Sequence, residues 1–148
     1  MNVEETIQTE KKIPLESRTI IHFMLVNNKI NETISGVLKP FDVSLQQFNV
    51  LRILRGQNGK PAHLSTLNER MVTKMSNTTR LVDKLILKGY VNRIVCPSNR
   101  RKVEINITEE GDKVLKKMDV AMAIAEKAIL KNISKKELEQ LNALFNKF

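Results

Sequence analysis

The sequence predicts a mainly α-helical chain with one small β-hairpin, which places it in the α+β class. Apolar residues recur every three or four positions through most of the 148 residues, as one buried face of a helix requires. After Tyr90 the apolar residues alternate with polar ones, which is the period of a half-buried strand. Prolines and glycines separate these stretches: Pro40, Gly56, Gly59, Pro61, Gly89 and Pro97.

The first forty residues predict one long helix, over residues 14–38. Its apolar residues cover more than one side, so the helix has to bury more than one face: Ile20, Ile21, Phe23, Met24, Leu25, Val26, Ile30, Ile34, Val37 and Leu38. A second helix begins at Ser44, because Gln47 three residues later completes a capping box, and Gly56 ends it.

Two shorter helices follow, over Ser65–Met71 and Ser76–Lys88, with a brief turn between them. Gly89 is well placed to end the second of them, because glycine adopts the left-handed conformation without strain. The alternating segment Val103–Ile107 predicts a strand, and Val91–Cys96 predicts its partner. Two helices packed at an angle and followed by a hairpin form a winged helix-turn-helix.

Positive charge is concentrated in the middle of the chain. The net charge is +9, and residues 41–109 hold twelve basic and five acidic residues, whereas residues 1–40 hold five of each. A basic segment with nearly neutral flanks is typical of a module that binds nucleic acid. On charge alone, a generic solvated basic surface is the alternative. Together with the helix pattern, the charge predicts that double-stranded DNA is the partner.

The two ends of the chain predict a homodimer. Thr108 caps the next helix, and Ser134 with Glu137 forms a capping box for the last one. Three helices expose more apolar surface than one short domain can cover, which favours a two-fold partner over an elongated monomer: residues 14–38, 109–131 and 134–148. We therefore expect one compact domain per subunit, with an N-terminal dimerisation helix at 1–40, a winged helix-turn-helix DNA-binding region at 41–108 and C-terminal dimerisation helices at 109–148.

The composition argues against a metal site, a cofactor and catalysis. The chain has one cysteine, Cys96, which excludes an internal disulfide and a multi-thiolate zinc site. It has two histidines, and no glycine-rich phosphate loop or nucleophile–base pairing, so no enzyme class is indicated. No apolar run is long enough to span a membrane, and the polar N-terminus differs from a secretory signal; we expect a cytoplasmic protein.

Five stretches resemble the MarR family of bacterial regulators: residues 48–51 (FNVL), 76–85 (SNTTRLVDKL), 88–91 (KGYV), 99–103 (NRRKV) and 107–111 (ITEEG). They resemble the helix before the helix-turn-helix, the recognition helix with its entry into the wing, the wing tip, and the start of the following helix. The resemblance implies a homodimer whose subunits interlock through N- and C-terminal helices. Such proteins usually repress transcription, and many release DNA when a small molecule or an oxidant binds.

The chain departs from the family at three positions. Cys96 and Asn99 stand where the wing commonly carries acidic residues, which makes this wing more cationic. Lys74 stands where the family often has a serine cap ahead of the recognition helix. We expect Cys96 to be an inert thiol rather than a redox sensor, because no helix N-terminus is expected beside it to lower its pKa.

Ten residues are candidates for DNA contact: Lys74, Ser76, Asn77, Thr79, Arg80, Lys84, Asn99, Arg100, Arg101 and Lys102. A helix fits the major groove, where an asparagine such as Asn77 pairs with adenine and an arginine such as Arg80 with guanine. The wing-tip cations suit the narrow, electronegative minor groove. Two alternatives are open: Ser76 and Asn77 act only as caps while Arg80 pairs with Asp83, or the wing cations only protect a strand edge.

These observations predict a sequence-specific transcriptional regulator that binds a near-palindromic operator on double-stranded DNA as a homodimer. The resemblance implies that the regulator is a repressor and that a small-molecule effector releases it from DNA. The alternative is a winged-helix module that binds protein without specific DNA binding. That module would have an exposed apolar recognition face and a wing tip without basic residues, and this sequence has the opposite.

Overall fold

The chain folds mainly into α-helices with one antiparallel two-stranded sheet, which confirms the predicted fold class. The computed structural model describes residues 1–72, 77–95 and 103–148. Within those ranges the elements, in chain order, are α1 (Val3–Thr6), α2 (Leu15–Leu38), a 3₁₀ turn (Lys39–Phe41), α3 (Leu45–Arg55), α4 (Leu64–Arg70), α5 (Thr78–Leu87), β1 (Val91–Val95), β2 (Val103–Ile107), α6 (Glu109–Leu130) and α7 (Lys135–Phe145).

The chain divides into two compact units. We call residues 1–36 with 125–148 the terminal unit and residues 37–124 the central unit. Both boundaries fall within long helices, α2 and α6, so each of these helices contributes residues to both units. The three segments assigned above by function are a different division of the chain, and they stay a prediction.

Local capping signals define the starts of three helices. The Ser44 hydroxyl accepts the Gln47 N–H at 3.2 Å, and the Gln47 side chain accepts the Ser44 N–H at 2.9 Å, so the capping box predicted for α3 is present. The same reciprocal pair joins Ser134 and Glu137 at the start of α7. At the start of α6 the Thr108 hydroxyl accepts a backbone N–H at 3.0 Å.

The end of α5 turns the chain sharply into the hairpin. Gly89 has a φ of 74°, in the left-handed region. Its N–H donates to the Ile86 carbonyl at 2.9 Å, and the Tyr90 N–H donates to the Leu85 carbonyl at 3.0 Å. These two bonds satisfy the last carbonyls of the helix, as predicted for a glycine at this position.

The hairpin packs onto the core of the central unit. β1 and β2 pair antiparallel over their full lengths, with Val91 opposite Ile107. Ile105, in the middle of β2, is completely buried, and it exchanges two backbone hydrogen bonds with Ala62 at 2.8 and 2.9 Å. The other fully buried apolar side chains of this unit come from its helices and include Val50, Leu51, Leu67, Val82, Leu85, Leu115 and Met118.

Helix α1 is a feature that the sequence does not indicate, because it is short and has no apolar stripe. The Asn2 side chain caps it by accepting the Glu4 N–H at 3.0 Å. Glu4 also binds Arg18 of α2 through two hydrogen bonds of 2.7 and 3.1 Å. The ends of α4 and α5 also differ slightly from prediction, since α4 begins one residue earlier and α5 begins at Thr78.

We expect Gly111→Ala to destabilise the protein by about 2–3 kcal/mol. A Cβ at Gly111 would lie 2.1 Å from the Tyr90 carbonyl oxygen, which is backbone and has little freedom to move aside. Thermal unfolding followed by circular dichroism measures the effect. Gly36→Ala is the matched control, because a Cβ there meets no atom within 4 Å and alanine favours the helix. Equal melting temperatures for the two variants would contradict the close approach of Tyr90 to α6.

Candidate nucleic-acid interface

Helix α5 turns one side into the central unit and the other to solvent. Thr78, Val82 and Leu85, spaced four and three residues apart, form its buried side. The exposed side carries three of the residues predicted to contact DNA: Thr79, Arg80 and Lys84. At about 100° per residue, Arg80 and Lys84 lie on the side of α5 opposite to the core, and Thr79 lies at the edge of the exposed side.

The start of α5 is held by a contact with α4. The Thr78 hydroxyl donates a hydrogen bond to the Asn68 side-chain oxygen. Asn77 occupies the N-cap position, but its side chain makes no capping hydrogen bond, and its Oδ1 is buried without a partner among the described residues. Capping therefore does not account for Asn77.

Asp83 pairs with a residue of the hairpin and not with Arg80. Its Oδ1 accepts a hydrogen bond of 2.5 Å from the Arg93 guanidinium, because β1 follows α5 closely and brings Arg93 alongside. Arg80 takes part in no ion pair of the described residues, and its side chain is exposed. The alternative in which Asp83 neutralises Arg80 on the helix surface is therefore wrong.

The C-terminal end of α5 is tied to the segment that follows the 3₁₀ turn. The Lys88 ammonium donates a hydrogen bond to Oδ2 of Asp42. This hydrogen bond lowers the pKa of the Asp42 carboxyl below its usual value, with Lys84 contributing a smaller attraction. Lys84 itself is exposed and has no ion-pair partner within the described ranges.

The remaining candidates lie outside the described residues. These are Lys74 and Ser76 ahead of α5, and Asn99, Arg100, Arg101 and Lys102 at the wing tip. Cys96 also lies there. Their assignment to DNA contact stays a prediction, as does the inert character of the thiol.

The residues that the structure describes contain no group of three or more His, Cys, Asp or Glu side chains that could hold a metal ion. None of their helices is long and apolar enough to cross a lipid bilayer.

Sequence comparison extends the local likeness to whole proteins. A family model for the MarR family matches residues 43–103. The uncharacterised HTH-type transcriptional regulator YhbI of Bacillus subtilis is 28% identical over 119 residues, which cover 80% of this chain and 76% of that protein. The multiple antibiotic resistance protein MarR of Escherichia coli is 30% identical over 93 residues, which cover 62% of this chain and 61% of that protein.

Structural comparison leads to the same family. The crystal structure of a mutant of the Escherichia coli MarR protein complexed with operator DNA matches with a TM-score of 0.76 at 25% identity, over 90% of this chain and 93% of that one. The helix pair α4–α5 followed by a hairpin defines a winged helix-turn-helix, a fold of DNA-binding transcriptional regulators. The family model and these relatives support a winged-helix regulator of the MarR type.

The ion pairs at the two sides of α5 leave no signal in the sequence. Asp42 and Lys88 are 46 residues apart, and the partners Asp83 and Arg93 lie in different elements. Helical periodicity and capping motifs act over only a few residues, so they carry no signal for such pairs. The hydrogen bond between Thr78 and Asn68, which sets the start of α5, escapes detection for the same reason.

We expect the Asp42 carboxyl to titrate below the ordinary aspartate pKa of about 3.9, and Lys88→Met to return its pKa toward that value. Because the folded-state pKa is lowered, the pair stabilises the fold above the ordinary value, and this contribution is lost as the pH falls through the lowered pKa. Carbon-detected NMR titration of the Asp42 side-chain carboxyl measures its pKa in the wild type and in Lys88→Met. Lys84→Met, which removes the weaker attraction, should move the pKa less. An unchanged pKa in Lys88→Met would contradict the pairing.

Proposed function

We propose that the chain is a transcriptional repressor that binds a near-palindromic DNA operator as a homodimer. One observation carries the proposal: the exposed side of α5 presents Thr79, Arg80 and Lys84 to solvent, and Arg80 is not neutralised by Asp83. The likeness to a MarR protein complexed with operator DNA supports this role for the surface. We assign no catalytic activity to the chain, and place it with its DNA in the cytoplasm.

The chemistry of the α5 start suits the major groove. A guanidinium donates two hydrogen bonds to guanine O6 and N7, and a carboxamide pairs in two points with adenine. Arg80 makes the first contact without giving up an ion pair, and Asn77 makes the second after its side chain turns outward. Thr79 and Ser76 add hydroxyl contacts to bases or to the backbone.

The wing tip adds the second part of the proposed DNA contact. Arg100, Arg101 and Lys102 are consecutive cations between β1 and β2, and Asn99 precedes them. Arginine inserted into a narrow minor groove meets strongly negative potential, so it reads groove shape more than base identity. Lys74 and Lys84 are assigned to backbone phosphates, which hold the recognition helix in register.

Exposed apolar surface in the terminal unit supports the homodimer. Large apolar side chains of α2, of α7 and of the chain end are more than a third exposed: Leu15, Ile20, Phe23, Met24, Val26, Leu144, Phe145 and Phe148. The rings of Phe145 and Phe148 lie 5.9 and 6.1 Å from that of Phe23, so part of this surface is one aromatic cluster. A second copy packed about a two-fold axis covers such a surface and requires only one interface.

Symmetry and release complete the proposal. Two recognition helices related by a two-fold axis meet two DNA half-sites about one helical turn apart, which is why the operator is near-palindromic. Release by a small-molecule effector follows from the resemblance to the family. An effector acts only if it binds the DNA-free form more tightly than the DNA-bound form.

The wild-type protein should select a near-palindromic sequence from a pool of random duplexes. Arg80→Ala should relax the preference at one base pair of each half-site, at a cost of about 1–3 kcal/mol on the selected duplex. Arg101→Ala should weaken the selected and a scrambled duplex alike and lower the salt slope of log K by about one unit. Fluorescence anisotropy over a series of salt concentrations measures both effects.

Lys135→Ala is the charge-matched control for these variants, because it removes an exposed cation of α7 outside the central unit. It should leave both the base preference and the salt slope unchanged. The proposal fails if the wild-type protein binds no duplex in a salt-sensitive way. A selected sequence without two-fold symmetry would contradict the homodimeric mode of binding.

Sedimentation equilibrium at micromolar concentration should give the mass of a dimer. Met24→Asp and Phe148→Asp should shift the protein toward the monomer, because each places a charge in the apolar surface of the terminal unit. Leu87→Asp is the matched control: Leu87 is more exposed than Met24 (87% against 61%) but lies in the central unit. A monomeric wild type, or equal dissociation of all three variants, would overturn the assigned interface.

A further inference from the structure

A basic depression lies on the central unit between α3 and the end of α4. It is lined by Asn49, Arg52 and Ile53 of α3, by Arg70 at the end of α4, and by Val72. We propose that this depression binds a phosphate of the DNA backbone and extends the DNA contact beyond α5 and the wing. The inference rests on the proposed DNA-binding function and assigns two further cations, Arg52 and Arg70, to it.

Arg52 is held in place before any ligand arrives. Its guanidinium carbon lies 5.6 Å from the centre of the Phe48 ring, a cation–π contact. Phe48 is itself buried in the core, with 1% of its surface exposed. An arginine oriented by a fixed ring loses less side-chain entropy on binding than a freely rotating one. The guanidinium is therefore organised for an oxyanion.

The charge of this depression is unmatched within the described residues. Arg55, on the same helix, is neutralised by Asp119 at 2.5 Å. Arg52 and Arg70 take part in no ion pair that the structure describes, and both side chains are exposed. Two guanidinium groups around one depression repel each other until an anion lies between them. A phosphodiester supplies that charge and accepts two parallel hydrogen bonds from each guanidinium.

The apolar part of the lining favours a nucleic-acid backbone over a free oxyanion. Val72 is 92% exposed and Ile53 is half-buried, so the depression joins apolar surface to its cations. A phosphodiester is flanked by the carbon surfaces of two sugars, whereas inorganic phosphate is polar on every side. Asn49 adds an amide donor to the same depression.

The depression shares helix α4 with the surface that the proposed function assigns to DNA. The hydrogen bond between Thr78 and Asn68 sets the start of α5 against the last turn of α4, and Arg70 ends that turn. We therefore place a backbone phosphate of the bound duplex in this depression. Each DNA strand offers one phosphate for about every 3.4 Å of helix axis, so a phosphate is available there whatever the base sequence.

The test uses the selected duplex and a scrambled duplex of equal length, with binding measured by fluorescence anisotropy between about 50 and 200 mM salt. Arg52→Ala and Arg70→Ala should each weaken both duplexes about threefold to tenfold and lower the salt slope by about one unit. Arg52→Lys should keep the slope, because it keeps the charge. Lys116→Ala, which removes a cation paired with Asp112 at 2.7 Å, is the control and should change the slope little.

Three results would overturn the inference while the proposed function stands. The first is an unchanged salt slope in both alanine variants. The second is a loss confined to the selected duplex, which indicates base reading. The third is a combination of two observations: inorganic phosphate stabilises the wild type but not Arg52→Ala, and Arg52→Ala leaves the salt slope unchanged. That combination indicates a site for a free oxyanion.

Two controls keep these outcomes distinct. If Arg52→Ala fails to fold by circular dichroism, Arg52→Gln and Arg70→Ala decide, because Gln keeps much of the contact with Phe48 and Arg70 makes no such contact in the described residues. A wild-type protein that binds neither duplex would overturn the proposed function and this inference together.

Discussion

The burial of one side of α5 is the constraint on which the candidate interface depends. Successive residues of an α-helix are rotated by about 100°, so fixing Thr78, Val82 and Leu85 in the core also fixes the direction of every other side chain. A rotation of the helix by one residue would drive Arg80 toward apolar surroundings, where an unpaired charge is costly. The bond from Thr78 to α4 and the turn at Gly89 hold the two ends of this helix.

Ion pairs neutralise some cations of the central unit and leave others unpaired. Three aspartates of the central unit each bind a cation from another segment of the chain: Asp42 with Lys88, Asp83 with Arg93, and Asp119 with Arg55. Each pair connects two segments of the chain, so these aspartates link parts of the fold and also neutralise three cations. The cations of the unit that appear in none of the described ion pairs include Arg52, Arg70, Arg80 and Lys84. Their charge is therefore available to an anionic partner.

The terminal unit has a different chemistry from the central unit, and the contrast fits the two partners that we propose for the chain. Its large apolar side chains remain exposed on α2 and α7, and its rings cluster around Phe23. Apolar surface is suited to a permanent partner of the same shape, whereas unpaired cations suit a partner that is bound and released. Helices α2 and α6 each contribute residues to both units.

Sequence alone determined the features that depend on neighbours a few residues apart. Helix ends are marked by Ser44 with Gln47, by Ser134 with Glu137 and by Gly89, because capping is a contact between residues at most five apart. The hairpin is marked by the change in the spacing of apolar residues. Sequence also placed Arg80 at the start of the recognition helix. Only the tertiary structure decided that Arg80 has no ion-pair partner among the described residues and that Arg52 and Arg70 line the same depression. The reason is that ion pairing depends on partners that folding brings together. Arg55 and Asp119, for example, are 64 residues apart in the sequence.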